Sequence, residues 1–177
     1  MKTRFLTTVC ALLTLAVLLG GCSAGAEKAP KKEVGIQLYS VRSLIGAFGN
    51  NQEDYKPVLK QLADMGYTSV EAASYKDGKI YGQTPEQFRK DVEEAGMKVL
   101  STHCTINLSD EELAAGDFSK ALAWWDECIA AHKAAGAEYI VVPSMRKVST
   151  LEELATYCRY FNEIGARCKA AGLKFGY

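Results

Sequence analysis

The segment Leu62-Ala-Asp-Met-Gly66-Tyr-Thr-Ser-Val70 decides the fold, because it joins the end of a helix to the start of a strand. A glycine can take the left-handed conformation that ends a helix, and a strand pattern follows within a few residues. The same junction recurs with its glycine at Gly96, Gly136 and Gly172, so the four glycines are 30, 40 and 36 residues apart. That spacing is the size of a βα unit.

Five strands and the helices between them follow from these junctions. The strands are predicted near residues 34–40, 68–73, 97–103, 138–143 and 173–177. Three helices begin with capping pairs, which are Thr84 with Gln87, Ser109 with Glu112, and Thr150 with Glu153. Consecutive βα units imply parallel strands joined by right-handed crossovers. Two α/β architectures therefore fit, an open doubly wound sheet and a (β/α)8 TIM barrel.

Apolar residues at helical spacing predict which side of each helix is buried. The first helix is expected over about Glu53 to Met65. In the helix over 117–135, the predicted buried stripe is Leu122, Trp125, Cys128, Ile129 and His132. In the helix after Thr150, it is Leu151, Leu154, Cys158, Phe161 and either Ile164 or Gly165.

Charge and motifs argue against two classes of ligand, nucleic acids and nucleotides. The 177 residues contain 21 Lys and Arg against 21 Asp and Glu, so no basic excess is present to follow a phosphate backbone, and nucleic-acid binding is not indicated. The first βα turn, over residues 43–49, has neither a G-x-G-x-x-G nor a P-loop pattern. A nucleotide-binding open sheet is thereby weakened.

The N-terminal segment is typical of a secretory signal peptide over residues 1–21, since Lys2 and Arg4 precede an uncharged run over 5–19. Leu19-Gly-Gly-Cys22 resembles the lipobox of bacterial lipoproteins, so Cys22 is predicted to be the acylated first residue of the mature chain. Residues 22–33 then form a tether, and 34–177 form the domain. Because Ser23 is not acidic, we expect a cell-envelope lipoprotein in the outer membrane of a Gram-negative bacterium. An uncleaved membrane anchor is the alternative.

Four cysteines belong to the domain: Cys104, Cys128, Cys158 and Cys168. They include no C-x-x-C pair, which argues against a structural zinc site. Buried free thiols are expected, and one disulfide between neighbouring helices is the alternative in an oxidising compartment.

Candidate site residues lie at the carboxyl ends of the strands, where both architectures bind ligands. Alternation places Gln37 and Tyr39 on the inward face of the first strand and Glu71 on that of the second. His103 ends the third strand on a face shared with Val99 and Ser101. A buried carboxylate needs a partner, and a histidine can donate, accept or bind a metal. In the alternative, structural interpretation, Glu71 caps a helix or pairs with Arg42.

Three other sets of residues are poorer candidates for a functional site. Cys104 and His103 are neighbours in a strand and face opposite sides, so they do not form a nucleophile and base. His132 lies on a helix and is expected to be structural. Trp125 is expected in the core and Trp124 partly covered.

Five segments together resemble the sugar phosphate isomerase/epimerase family of the xylose isomerase-like TIM barrel superfamily. They are Val34–Arg42, Gly66–Glu71, Gly96–His103, Ala137–Pro143 and Ala171–Tyr177. The resemblance implies a (β/α)8 barrel and a divalent metal, Mn²⁺, Mg²⁺, Co²⁺ or Zn²⁺, that stabilises the enediolate formed by proton abstraction next to a carbonyl. It implies substrate binding by Glu71 and His103, and less directly by Gln37 and Tyr39.

The family takes its metal ligands, a Glu, an Asp, a His and a second Glu, from later strands, and it commonly continues as Tyr-His-Asn-His where this chain has Tyr177. We therefore expect a TIM barrel truncated to about the first four and a half βα units, without metal ligands and without turnover of its own. A complete barrel takes about 250 residues.

The predicted function is that of part of a cell-envelope sugar isomerase/epimerase-like enzyme, acting on a free sugar or keto-sugar. Exported enzymes meet few sugar phosphates, and no phosphate-binding motif is visible. The alternatives are a keto-sugar lyase or hydratase on the same fold, and a non-catalytic carbohydrate-binding lipoprotein. The sequence leaves the sugar, the metal and the oligomeric state open.

Overall fold

The computed structural model describes residues 32–47, 50–51 and 54–177. The predicted signal peptide, Cys22 and the tether up to residue 31 lie outside the described residues. Residues Glu33–Tyr177 pack as one unit. Within the described ranges, no helix has both the length and the apolar character needed to cross a membrane.

Five parallel strands form the main sheet. They are β1 (Gly35–Gln37), β2 (Ser69–Ala72), β3 (Lys98–His103), β4 (Tyr139–Val141) and β5 (Lys174–Gly176), and their order in the sheet is their order in the chain. Each strand lies inside its predicted range. A doubly wound sheet would reverse direction at a switch point, whereas this sheet adds every new strand on the same side, as the wall of a barrel does. The predicted TIM-barrel topology is thus confirmed for these five strands.

In the described residues, six helices lie between successive strands of the main sheet, one or two to each connection. They are α1 (Arg42–Ile45), α2 (Lys56–Asp64), α3 (Pro85–Glu94), α4 (Asp110–Ala115), α5 (Ser119–Ala134) and α6 (Leu151–Ala170). A 3-10 turn over Leu38–Val41 follows β1 directly. Two short hairpins pair Gly46–Ala47 with Asn50–Asn51 and Tyr75–Lys76 with Lys79–Ile80.

The junctions and caps form largely as the sequence predicts. All four junction glycines have positive φ, between 76° and 99°, which favours glycine over residues with a Cβ. Ser109 with Glu112 and Thr150 with Glu153 make reciprocal capping boxes. Only half of the predicted box forms at Thr84, whose side chain accepts from the Gln87 backbone N–H. The Gln87 side chain donates instead to Asp91 Oδ1, at 2.7 Å.

The core lies between the sheet and the helices, in two clusters. One joins β1 and β2 to α2 and α3 and includes Leu59, Val70 and Phe88. The other joins the ends of β3 and β4 to α5 and α6 and is centred on Trp125 and Tyr160. Trp125 is 1% exposed, as predicted, and its Nε1 donates to the Tyr160 hydroxyl at 2.7 Å. The predicted buried stripe of α5 is confirmed in full.

The predicted buried stripe of α6 is wrong in its first half. Leu151 and Leu154 are 84% and 40% exposed, and Cys158 is also exposed. The face that packs inward consists of Thr156, Tyr157, Tyr160, Ile164 and Cys168. The helix takes this orientation because Tyr160 finds hydrogen-bond partners inside the core, so its large ring can be buried at no cost in unpaired polar atoms.

A register shift between β2 and β3 also changes one predicted face. Val70 pairs with Val99, but the next residue of β2, Glu71, pairs with Ser101, so one extra residue of β3 is inserted. Val99 therefore packs in the helix-side core, whereas Ser101 hydrogen-bonds to Glu71. The prediction that Val99 shares the face of Ser101 and His103 is wrong because the bulge interrupts the alternation.

Candidate functional site

Glu71 is the centre of a polar cluster at the carboxyl edge of the sheet. Gln37 Nε2 donates to Glu71 Oε1 at 2.7 Å, and Ser101 Oγ donates to Oε2 at 2.5 Å. His103 Nε2 lies 2.9 Å from Oε1. The structure thus brings together three of the four predicted site residues, Gln37, Glu71 and His103, and adds Ser101.

The sheet register produces this convergence. Gln37 and Glu71 are direct partners across β1 and β2, and Glu71 and Ser101 are partners across β2 and β3. Directly paired residues on one face of a sheet have their Cβ atoms about 5 Å apart, so their side chains meet. Both carboxylate oxygens of Glu71 are held, which fixes the orientation of the group. Glu71 pairs with His103 and not with Arg42, the partner in the structural alternative.

The contacts around Oε1 place a hydrogen on His103 Nε2. Gln37 Nε2 is a donor only, and it lies 3.3 Å from His103 Nε2 while donating to Glu71. His103 Nε2 also contacts that carboxylate oxygen, so it carries a hydrogen and donates to it. The amide and the imidazole therefore converge on one acceptor. The side chains of His103 and Glu71 keep exposures of 18% and 23%, so the pair remains accessible to a small ligand.

Tyr39 does not occupy its predicted place on the first strand. β1 ends at Gln37, and the 3-10 turn carries Tyr39 out of the strand alternation. Its ring packs under the Arg42 guanidinium, whose carbon lies 4.3 Å from the ring centroid, and its carbonyl accepts from Arg42 Nη1. The prediction that Tyr39 follows Gln37 on the inward face of the strand is wrong, because β1 ends three residues earlier than expected.

A small cavity of about 90 Å³ adjoins the carboxyl end of β3. It is lined by Ala73, Tyr75, His103, Cys104, Thr105, Trp124 and Pro143. His103 is thus shared between the Glu71 cluster and this cavity. The larger clefts lie elsewhere, between α4 and α6 and beside β5.

The described residues at this edge do not fit the divalent-metal site of a sugar isomerase. Glu71 and His103 supply one carboxylate and one imidazole, and the oxygens of Glu71 are already engaged by protein donors. Hard divalent cations need several oxygen ligands. Within the described part of the chain, the group of three or more potential ligands that converges is Cys104, Cys128 and His132, on the other face of the sheet.

That second cluster is buried in the helix-side core. Burial alone would raise the pKa of the Cys104 thiol, but a hydrogen bond with Cys128 and the charge and hydrogen bond of His132 lower it to about 5. Burial and the neighbouring Cys104 raise the pKa of Cys128. Cys104 and His103 are not a dyad, as predicted, since their partners lie on opposite sides of the sheet.

The prediction of free thiols is confirmed for all four cysteines of the domain. Cys104, Cys128 and Cys168 are buried as well, but the exposure of Cys158 makes that part of the prediction wrong.

The fold agrees with a comparison against protein families. The model of the xylose isomerase-like TIM barrel family matches residues 59–177. The chain belongs to this family. A search of curated proteins gave no significant match. The match confirms the predicted family resemblance. It covers β2 through β5 of this partial xylose isomerase-like barrel.

Solved structures show the same fold. Two sugar phosphate isomerase/epimerases from Parabacteroides distasonis ATCC 8503 have TM-scores of 0.66 and 0.68 at 24% and 29% identity, over 88% and 82% of this chain. An IOLI protein with a bound zinc atom has a TM-score of 0.55 at 13% identity, over 81% of this chain and 50% of its own. The chain spans about half the length of these structures, since it covers 54% of each of the first two.

Sequence reasoning missed two features of this xylose isomerase-like barrel. Ser101 was predicted to share a face with His103, but no function was assigned to it. Its position two residues before the histidine, on the same face, was the signal. The buried cluster of Cys104, Cys128 and His132 was not predicted because its ligands do not form a C-x-x-C pair. The signal was present in Cys128 and His132, which are four residues apart on one helix and so lie on the same face.

Proposed function

We propose that the Glu71 cluster is the sugar-binding part of a sugar isomerase/epimerase-type site. The observation that carries the proposal is the convergence of Gln37, Ser101 and His103 on one carboxylate at the carboxyl ends of three adjacent strands. Barrels of this kind bind their substrates at that edge. The solved sugar phosphate isomerase/epimerases share the fold over most of this chain.

The cluster offers the chemistry that sugar hydroxyls require. A hydroxyl both donates and accepts, and the site presents a carboxylate acceptor beside an amide, a hydroxyl and an imidazole. The mutual hydrogen bonds hold these groups in place before a sugar arrives, which lowers the entropic cost of binding. Glu71 and His103 thereby orient a sugar by two adjacent hydroxyls. We assign them no metal and no step of proton transfer.

The proposed ligand is a free sugar or keto-sugar. The sequence has no phosphate-binding motif, and the carboxylate of Glu71 would repel a phosphate group bound close to it. Abstraction of a proton next to a carbonyl is the proposed reaction of the whole enzyme, with the divalent metal held by residues outside the described cluster. The same chemistry serves a keto-sugar lyase or hydratase, and a carbohydrate-binding lipoprotein would use the cluster without turnover.

The proposal places the protein in the cell envelope. Its support is the signal-peptide pattern over residues 1–21 and the Leu19-Gly-Gly-Cys22 segment, with Ser23 favouring the outer membrane. A lipid on Cys22 would then anchor the domain to the membrane surface through the tether over 22–33.

Titration calorimetry with D-fructose and D-fructose 6-phosphate tests the proposal. The purified chain should bind the free sugar saturably, the phosphate ester more weakly, and turn over neither. Glu71→Gln should weaken fructose binding about tenfold, because a hydrogen bond to a charged group is worth about 1.5–3 kcal/mol. Glu138→Gln, an exposed glutamate just before β4, is the matched control and should bind as the parent does. Equal affinity in Glu71→Gln and the parent would overturn the assignment.

A further inference from the structure

The side chains of Cys104, Cys128 and His132 converge behind the sheet, where the end of β3 meets α5. Cys104 follows β3, and Cys128 and His132 are one helical turn apart on α5. Cys104 Sγ lies 3.2 Å from His132 Nε2, and one potential ligand atom from each residue lies within 4.8 Å of the others. All three residues are buried, with exposures of 4%, 0% and 0%.

The histidine is held as metal-binding histidines usually are. His132 Nδ1 lies 2.6 Å from the Cys128 carbonyl oxygen, so Nδ1–H donates to the backbone. Nε2 faces Cys104 Sγ and is hydrogen-bonded to it, so a metal ion would replace the proton that lies between the two atoms. A backbone carbonyl that fixes the tautomer in this way is the common outer partner of a ligating imidazole.

We propose that Cys104, Cys128 and His132 bind one Zn²⁺ ion. With zinc–sulfur and zinc–nitrogen bonds of about 2.3 and 2.0 Å, tetrahedral ligand atoms are roughly 3.5–3.8 Å apart. The Cys104 Sγ–His132 Nε2 separation of 3.2 Å is a few tenths of an ångström short of that spacing. The Cys128 thiol lies 3.4 Å from Nδ1, so it must turn toward Nε2 to share the ion. Two thiolates balance the two charges of the ion, so the buried site carries no net charge.

The donor set selects the metal. Two sulfurs and an imidazole nitrogen favour zinc or a soft cation over Mg²⁺, Mn²⁺ or Ca²⁺, which take oxygen ligands. Cu⁺ accepts the same donors, but two thiolates would leave it with a net negative charge in the core. Charge balance therefore favours zinc.

The cavity at the end of β3 supplies a fourth position and a route of entry. It touches Cys104 and is lined on one side by Tyr75 and Trp124. Its volume of about 90 Å³ exceeds the roughly 30 Å³ share of one water in the liquid. Three protein ligands with a water are one of the known forms of zinc coordination. The Tyr75 ring packs on the His132 ring, with centroids 4.7 Å apart, and supports it from that side.

This site lies on the other side of the sheet from Glu71 and meets the sugar cluster only at His103, which also lines the cavity. Glu71 and His103 lie on the inward face of the sheet, whereas the thiols lie between the sheet and α5. A zinc ion there would tie α5 to β3. Its loss would then affect stability directly, and sugar binding would continue.

Cobalt substitution of the reduced, purified chain tests the proposal. Co²⁺ should bind one per chain and give the thiolate charge-transfer bands and intense visible bands of a tetrahedral site, and Zn²⁺ should displace it stoichiometrically. Cys104→Ser, Cys128→Ser and His132→Gln should each weaken binding by at least about tenfold. Cys158→Ser, at an exposed cysteine, is the matched control and should retain the full spectrum. Circular dichroism identifies any variant that fails to fold, and the proposal is judged on the variants that do fold.

Several outcomes would overturn the proposal. They are an absence of charge-transfer bands in the parent, equal bands in the parent and in folded Cys104→Ser and Cys128→Ser, and loss of the bands in Cys158→Ser. A mass lower by two hydrogens under mild oxidation, with the Cys104–Cys128 bond found by peptide mapping and no metal uptake by the reduced chain, would identify a disulfide pair instead. None of these outcomes bears on sugar binding at Glu71.

Discussion

His103 Nε2 lies 2.9 Å from Glu71 Oε1, at the carboxyl ends of two neighbouring parallel strands. The two residues are far apart in the sequence, and only the stacking of consecutive βα units brings them together. The same oxygen accepts from Gln37, at the end of β1. The topology of the sheet therefore positions the two residues on which the proposed sugar binding depends.

Acid should destabilise the fold through Asp91. Its carboxylate is almost fully buried and accepts from Tyr55 and Gln87 while pairing with Lys56 at 2.9 Å. Burial would raise the pKa of Asp91, but these three partners together lower it below its ordinary value of 3.8. A carboxyl group whose pKa is lower in the folded than in the unfolded state stabilises the fold at pH values above its unfolded pKa. This stabilisation is lost as the pH falls through the folded pKa.

Urea unfolding measured from neutral pH to below 3.8 checks this prediction. Asp91→Asn should cost about 1–3 kcal/mol of unfolding free energy at neutral pH and should flatten the acid part of the profile. Asp64→Asn is the control, since its carboxylate is exposed and pairs with Lys60 on the helix surface, and it should cost less than about 0.5 kcal/mol. Parallel pH profiles for the parent and Asp91→Asn would contradict the account.

Tyr160→Phe should destabilise the core although it removes a single oxygen. The Tyr160 hydroxyl accepts from Trp125 Nε1 at 2.7 Å and donates to the Ile106 carbonyl at 3.0 Å. The variant leaves Trp125 Nε1–H and the Ile106 carbonyl without this partner. The unfolding free energy measured in urea should therefore fall by about 1–3 kcal/mol. Tyr177→Phe, at a ring that is 72% exposed, should leave the unfolding free energy unchanged. Equal stability of both variants would show that the hydroxyl is dispensable.

We predict that Cys22 is lipidated and that the lipid anchors the chain in the cell envelope. In a Gram-negative host, the full chain should incorporate labelled palmitate and sediment with the outer membrane. Cys22→Ala should lose the label and leave that fraction, while Cys10→Ala, inside the predicted signal peptide, should keep both. Labelling of Cys22→Ala, or recovery of the parent chain in the soluble fraction, would contradict the lipoprotein assignment.

The sequence predicts those parts of the fold that local physics decides. Gly66 and its three counterparts mark helix ends because a positive φ disfavours any other residue there, and the spacing of these glycines gives the βα repeat. Strand alternation is equally local, and it correctly places Gln37 and Glu71 on one face.

The features that depend on contacts between distant segments were not predictable in the same way. The bulge beside Glu71 separates Val99 from Ser101, and the early end of β1 takes Tyr39 out of the strand. Tyr160 is buried because Trp125 and Ile106 satisfy its hydroxyl. No periodicity in α6 alone carries that information, so the exposed Leu151 looked like a core residue.

Nuclear magnetic resonance of the histidine side chains tests the central claim most directly, because the chain has only two histidines. D-Fructose should shift the imidazole signals of His103, saturably, and leave those of the buried His132 in place. The same titration of Glu71→Gln should give a shift that saturates at about tenfold higher sugar concentration. If fructose moves neither histidine, or moves His103 equally in the parent and in Glu71→Gln, then the Glu71 cluster is not a sugar-binding site.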